Sequence, residues 1–192
     1  MAHRLLYVVR HGETDWNAAQ RWQGQTDVPL NDHGRSQARA VAHSLRAAGV
    51  CGVVASDLSR AQETARIVAS ELGVSIRYLD VELRERSFGC FEGMTREECE
   101  RLQPEAWRRW LDDRHVPDGA ETHDALNTRV VSAIARAARL VAGDDAPALV
   151  VTHGGTLRAI VEAATGKRPP PVKNGEVWRV GWDSGLVWAE AM

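Results

Sequence analysis

The chain of 192 residues is 44% hydrophobic and 26% charged, an ordinary globular composition that lets one domain bury a substantial core. A formal net charge of -2 argues against a general polyanion binder, so nucleic acid is not an expected partner, and no apolar run approaches the length of a membrane-spanning helix. Cys51, Cys90 and Cys99 lack metal-ligand spacing, and the first residues run straight into an apolar segment without a signal peptide, which makes a reducing cytoplasm the expected compartment. Lys167 and Lys173 are the only lysines. A GC-rich genome produces such an arginine bias, although arginine also grips phosphate or carboxylate bidentately.

The first element is the apolar run from Leu5 to Val9, a buried strand that ends in Arg10-His11-Gly12-Glu13. A polar loop from Asn17 to Asp32 follows, containing Gln23 and Gly24. His33 to Ala48 reads as an amphipathic helix, with Ala38, Val41, Ala42 and Leu45 at helical spacing and Gly49 as its stop. Val50 to Ala55 is a second strand, Ser56-Asp57 a cap for the helix Ser59 to Leu72, and Ser75 to Leu79 a third strand. The stretch Glu82 to Thr122 breaks this rhythm with the loop Ser87 to Gly93 and helical pieces at Arg96 to Arg101 and Glu105 to Leu111. Such an excursion commonly builds the wall of a pocket. Thr122 to Ala142 is the longest helical pattern. It leads into a strand from Ala148 that ends in Thr152-His153-Gly154-Gly155-Thr156, and a further helix runs to Ala164. Pro169-Pro170-Pro171 starts a stiff connection, and Glu176 to Trp188 resembles a hairpin with its turn at Asp183-Ser184-Gly185. The tail tryptophans Trp178, Trp182 and Trp188 are read as core packing.

Alternating strands and helices predict a three-layer α/β sandwich, a mostly parallel sheet with helices on both faces. Two units of the form strand, histidine, glycine, helix can place His11 and His153 side by side at the carboxyl edge of that sheet, where ligands of open α/β folds sit.

Four separated motifs belong together: Arg10-His11-Gly12-Glu13, Ser56 to Ala65 with Arg60 inside it, Leu83-Arg84-Glu85-Arg86-Ser87-Phe88-Gly89, and Thr152 to Arg158. In kind and order they resemble the histidine phosphatase superfamily, the group that contains cofactor-dependent phosphoglycerate mutases and many small-molecule phosphatases. The resemblance runs from about Leu5 to Val161. It implies a single domain over residues 1–192 of phosphoglycerate mutase-like fold, with a cap or specificity insertion at about 86–121. It makes His11 the nucleophile that accepts a phosphoryl group, Arg10, Arg60 and His153 the pocket that holds it, and Glu85 the proton donor. Asn17, Gln23, Gly24 and Gly154 become phosphate contacts, as does the Gly12 amide. Glu13, Glu82 and Glu92 lie in neighbouring segments and compete for the acid role. Trp22, Phe88 and Cys90 are candidates for the substrate side of the pocket.

Phosphoryl transfer asks the protein to position the group and spread its charge, so guanidiniums and imidazoles can do what a metal does elsewhere. The expected enzyme is therefore a phosphomonoester hydrolase with no metal and no cofactor, acting on a small phosphorylated metabolite, with neither nucleic acid nor membrane as partner and a homodimer left open. Its alternatives are a cofactor-dependent phosphoglycerate mutase and a non-catalytic phospho-ligand binding protein. The short insertion, Phe88 where the mutases tend to have tyrosine, and Gly154-Gly155-Thr156 favour hydrolysis; Trp107-Arg108-Arg109-Trp110 echoes the mutases' arginine pair.

Overall fold

The computed structural model describes residues 4–112, 116–140 and 146–192. The strands are β1 (Arg4–Arg10), β2 (Val53–Ser56), β3 (Ile76–Asp80), β4 (Ala148–Thr152), β5 (Val177–Trp182) and β6 (Leu186–Ala191). They form one sheet in the order β3-β2-β4-β1-β5-β6. The first four are parallel, and β5 and β6 form the antiparallel hairpin at one edge. The α/β architecture with a mostly parallel sheet thus agrees with the alternation read from the sequence. What the alternation leaves open is the insertion of β4 between β1 and β2. In that register Arg10 lies opposite Thr152, so the two chain reversals that follow, with His11 and His153, are side by side.

The period of two in the central strands fills both faces. Leu6, Val8, Val54 and Val150 pack against α6 (His123–Leu140) and α7 (Gly154–Thr165), while Val9, Val53, Ala55 and Val151 pack against α2 (Asp32–Leu45) and α3 (Ser59–Leu72). Every one of these strand residues is fully buried, which is why the runs read as continuously apolar. The helix α3 stops at Gly73, whose φ of +69° turns its amide back onto the carbonyls of Ala69 and Ser70. The expected cap at Ser56-Asp57 does not form. Leu58 occupies the cap position without a side-chain bond, because the Ser56 hydroxyl serves His153 and the Asp57 carboxylate is forked by Arg84 at 2.7 and 2.5 Å.

A one-turn helix, α1 (Asp15–Ala18), opens the polar loop and closes a capping box between Thr14 and Asn17. The stretch after β3 holds two 3₁₀ turns, Val81–Leu83 and Gly89–Phe91, and the helices α4 (Arg96–Leu102) and α5 (Pro104–Leu111). Phe91, Cys99 and Trp107 give it a small apolar core of its own, and an antiparallel bridge from Phe88 to Ala120 brings its two ends together. Among the described residues no helix is long and apolar enough to cross a membrane. Trp178 and Trp182 pack on the main core as expected, and Trp188 lies over Gly181, where an added Cβ would come within 2.2 Å of its indole nitrogen.

Candidate active site

A cavity of about 540 Å³ opens at the carboxyl ends of β1 and β4. His11 stands in it, only 2% exposed, directly after β1. Its Nδ1 lies 2.6 Å from the carbonyl oxygen of Gly12. A carbonyl only accepts, so the proton is on Nδ1 and the lone pair on Nε2. Burial, followed by the neighbouring Arg60 and Arg10, holds this imidazole well below its ordinary pKa.

His153 follows β4, and its ring centroid is 5.0 Å from that of His11. It does not line the cavity. Arg60 Nε donates to its Nδ1 at 3.3 Å, which leaves the proton on Nε2, and that nitrogen donates to the Ser56 hydroxyl at 2.9 Å. Both ring nitrogens therefore face protein. Burial, then the positive field of Arg60, pushes this imidazole well below its ordinary pKa too.

Arg60 is fully buried at the start of α3. Its fork meets only neutral acceptors, Nη1 on the Thr26 carbonyl at 2.8 Å and Nη2 on the Gly24 carbonyl at 2.7 Å besides Nε on His153, and each Nη keeps a second N–H for the cavity. Burial pushes its pKa down to about 10. Arg10 donates Nη1 to the Val172 carbonyl at 2.7 Å, and its Nε is buried without any partner. Desolvation lowers its pKa as well, against the partial support of Glu85, Glu176 and Glu13. No carboxylate pairs directly with either arginine among the described residues. Two desolvated cations beside an orphaned N–H make a cavity built for an anion.

The neutral donors are aimed by their own hydrogen bonds. Gln23 Oε1 accepts from the Thr14 hydroxyl at 3.0 Å, and Asn17 Oδ1 accepts from the Thr14 amide and from Asn174 Nδ2, both at 3.2 Å. With both oxygens occupied, the two amide nitrogens are the groups left for the cavity. Gly24 contributes a carbonyl to Arg60, and Gly154 opens α7 at the cavity wall. The Gly12 amide, expected to meet an anion, instead donates to the Thr64 hydroxyl at 3.1 Å. Gly12 is glycine for packing: an added Cβ would stand 2.3 Å from the Gly34 carbonyl.

Of the four candidate acids, only Glu85 lines the cavity. Its Oε1 accepts from the amides of Arg86 at 2.8 Å and Thr156 at 3.1 Å, whereas Oε2 accepts only from Gly155 at 2.9 Å. Glu92 ties two loops together by accepting from the amides of Gln25, Thr26 and Phe88, Glu13 receives Asn31, and Glu82 pairs with Arg136. Trp22 and Phe88 form an aromatic wall with Trp110, while Cys90 packs in the small apolar core away from the cavity. Among the described residues no group of three or more histidine, cysteine or acidic side chains comes together as a metal site.

Several neighbours escaped sequence reasoning. Thr64, Ser56 and Asn174 orient the site through hydroxyl or amide contacts that leave no periodic signal. Arg158 and Arg168 also line the cavity. Arg158 had one available signal, its place at the fifth position after His153.

Residues 6–187 match the family model of the histidine phosphatase superfamily (branch 1). The chain is 40% identical over 163 residues to phosphoglycerate mutase-like protein 4 of Arabidopsis thaliana, covering 83% of this chain and 70% of that one. It is 42% identical over 170 residues to the probable phosphoglycerate mutase GpmB of Enterobacter sp. (strain 638), covering 84% and 74%. Among solved structures it resembles a mycobacterial glucosyl-3-phosphoglycerate phosphatase in complex with VO3, with a TM-score of 0.84 and 29% identity over 98% of this chain and 97% of that one. The Thermus thermophilus protein TTHB049 aligns with a TM-score of 0.71 and 35% identity over 98% and 99% of the two chains. Family model, relatives and fold agree with the four motifs: the chain belongs to the histidine phosphatase superfamily, whose members are phosphatases or mutases.

Proposed function

We propose that this protein is a metal-independent phosphomonoester hydrolase that works on a small phosphorylated metabolite through a phosphohistidine at His11. The observation that carries the reading is the bond from His11 Nδ1 to the Gly12 carbonyl, which leaves Nε2 as an unprotonated nucleophile beside two arginines that lack a counterion. In the first step the Nε2 lone pair attacks phosphorus, the ester P–O bond breaks, and the leaving oxygen takes a proton from Glu85. Glu85 Oε2, with a single amide donor, is the oxygen free to carry that proton. Arg10, Arg60, Asn17 and Gln23 hold the equatorial oxygens, and the Gly154 amide at the start of α7 adds a further donor. In the second step Glu85 takes a proton from a water whose oxygen bonds to phosphorus, the P–N bond breaks with its electron pair returning to His11 Nε2, and inorganic phosphate leaves. His153 acts through Arg60, whose guanidinium it steers by accepting the Nε proton.

The mutase names of the curated relatives favour a second reading, return of the phosphoryl group to another hydroxyl of a bound phosphoglycerate. The arginine pair that would suit it, Arg108 and Arg109 on α5, is exposed and does not line the cavity. That speaks for hydrolysis. Phosphate release from a panel of phosphomonoesters including 3-phosphoglycerate, in excess chelator and with His11→Ala in parallel, tests the proposal. Chelator-resistant release that disappears in His11→Ala is expected. Isomerisation of 3-phosphoglycerate without release would replace it by the mutase reading, and release that survives His11→Ala would remove the phosphohistidine.

A further inference from the structure

The loop that carries Glu85 is held from outside. After the 3₁₀ turn Val81–Leu83 the chain runs through Arg84 to Glu85 in neither helix nor strand, so its carbonyls need donors from elsewhere. Arg129 of α6 reaches in to supply them. Its Nη1 donates to the carbonyls of Glu82 at 2.6 Å and Arg84 at 2.8 Å, and its Nη2 to the Glu85 carbonyl at 3.0 Å. The remaining N–H groups fork onto Glu121, Nε to Oε1 at 2.6 Å and Nη2 to Oε2 at 2.7 Å. A guanidinium has five N–H groups, and all five are used, three on this loop and two on one carboxylate.

We propose that Glu121 and Arg129 are positioning residues for the proton donor: the carboxylate orients the guanidinium, and the guanidinium fixes the backbone from which Glu85 reaches the cavity. The inference rests on the hydrolase reading for the role of Glu85 and extends it to two residues that do not line the cavity. The pair is largely enclosed, its side chains 15% and 14% exposed. Desolvation offsets most of the attraction in such a pair, so apolar side chains of similar volume would stabilise the fold about as well. What they could not supply is direction. A planar fork, itself held bidentately, dictates where the carbonyls of residues 82, 84 and 85 stand.

Glu121 also makes the placement of Glu85 depend on the insertion. It lies at the far end of that segment, where its amide donates to the Ser87 carbonyl at 2.9 Å and its carbonyl accepts from Arg86 Nε at 2.8 Å. Arg86 in turn lies 4.7 Å over the Trp110 ring. The aromatic wall of the cavity and the loop that protonates the leaving group therefore share one anchor. Other bonds keep the loop folded when that anchor is weakened: Thr152 and Thr156 donate their hydroxyls to the carbonyls of Leu83 at 2.8 Å and Arg84 at 2.7 Å. The Glu85 carbonyl would then retain only Gln25 Nε2, at 3.3 Å. Weakening the pair should displace Glu85 and leave the fold standing.

The test is steady-state phosphate release from glycerol 3-phosphate and p-nitrophenyl phosphate by Arg129→Lys, Glu121→Gln and Glu85→Gln, with each of the first two also combined with the third. Lysine keeps the charge but offers its donors from a single point, and glutamine keeps the shape but sets an N–H against the fork. Each should lower kcat for glycerol 3-phosphate about tenfold, less than the roughly 10²-fold that a full 1 Å misplacement costs. For p-nitrophenyl phosphate, whose leaving group needs no proton, the loss should stay below about threefold. Inhibition by inorganic phosphate should be unchanged. In the Glu85→Gln background, where no acid remains to be placed, neither added substitution should change either rate, whereas a residue that only stabilised the fold would lower both rates in both backgrounds. If Arg129→Lys does not fold, Glu121→Gln still reads the effect. Equal losses on the two substrates in these variants, or further losses in the Glu85→Gln background, beside a Glu85→Gln loss that falls mainly on glycerol 3-phosphate, would overturn the inference alone. No release by wild type, or equal Glu85→Gln losses on both substrates, would overturn the hydrolase reading or the acid role of Glu85, and the inference with it.

Discussion

Gly155→Ala separates the placement of Glu85 from the rest of the cavity. An ideal Cβ at residue 155 would lie 2.4 Å from Glu85 Oε1 and 3.1 Å from its Cδ, where ordinary contact begins at 3.4 Å. The carboxylate must therefore retreat by about 1 Å, and its bond with the Gly155 amide, now 2.9 Å, is lost or stretched. The helix gains from the same change, since alanine in place of glycine favours α7 by roughly 1 kcal/mol. The obstructing atom is the end of a flexible side chain, so the fold should persist with a melting temperature within a few degrees of wild type. A displacement of about 1 Å at a group that transfers a proton costs on the order of 10²-fold. The loss should fall on substrates whose leaving oxygen needs that proton: kcat/KM for glycerol 3-phosphate should drop about 100-fold, and that for p-nitrophenyl phosphate by less than about tenfold. Steady-state phosphate release on both substrates, beside a thermal melt, measures the ratio. Equal losses on the two, or full activity on glycerol 3-phosphate, would refute Glu85 as the acid.

Other perturbations address the remaining parts. Because burial and two arginines hold His11 well below its ordinary value of about 6.5, the neutral nucleophile should persist as pH falls, and the acid limb of kcat/KM should lie below that value; a limb at 6.5 or above would contradict it. The depressed values of His11 and His153 also mean that the unfolded chain binds more protons below about pH 6.5, so stability should fall with pH through that window, and His153→Gln should flatten the trend in urea melts. Arg60→Lys cannot serve Gly24, Thr26 and His153 at once, and kcat should fall about 10²- to 10³-fold; a loss under tenfold would show that the fork is dispensable. Glu92→Ala removes the acceptor joining residues 25 and 26 to residue 88, so it should lower stability by about 1 to 3 kcal/mol and reduce activity equally on good and poor leaving groups. A loss confined to poor leaving groups would instead make Glu92 the acid.

Local chemistry was legible along the chain wherever the signal is periodic or punctuating. Unbroken apolar runs announced β1 and β4 because both of their faces are covered, and glycine stops with helical spacing placed α3 at its observed ends, Ser59–Leu72. The residues that now share a cavity, His11, Arg10, Arg60, Glu85, Asn17, Gln23 and Gly154, were all nominated from motifs. What no local pattern contains is register. The pairing of Arg10 with Thr152, which makes neighbours of two histidines 142 positions apart, depends on β4 entering the sheet between β1 and β2. Hydrogen-bond direction was equally invisible: whether Gly12 meets an anion or Thr64, whether Ser56 caps a helix or receives His153, and which glutamate reaches the cavity are decided by which acceptors the fold brings within about 3 Å. The sequence by itself determined the elements, the family and the chemical kinds of the residues, because backbone preference and burial period act over a few neighbours. Tertiary structure alone decided the tautomer of His11 and the missing counterions of Arg10 and Arg60, because those follow from distances between groups that only the fold brings together.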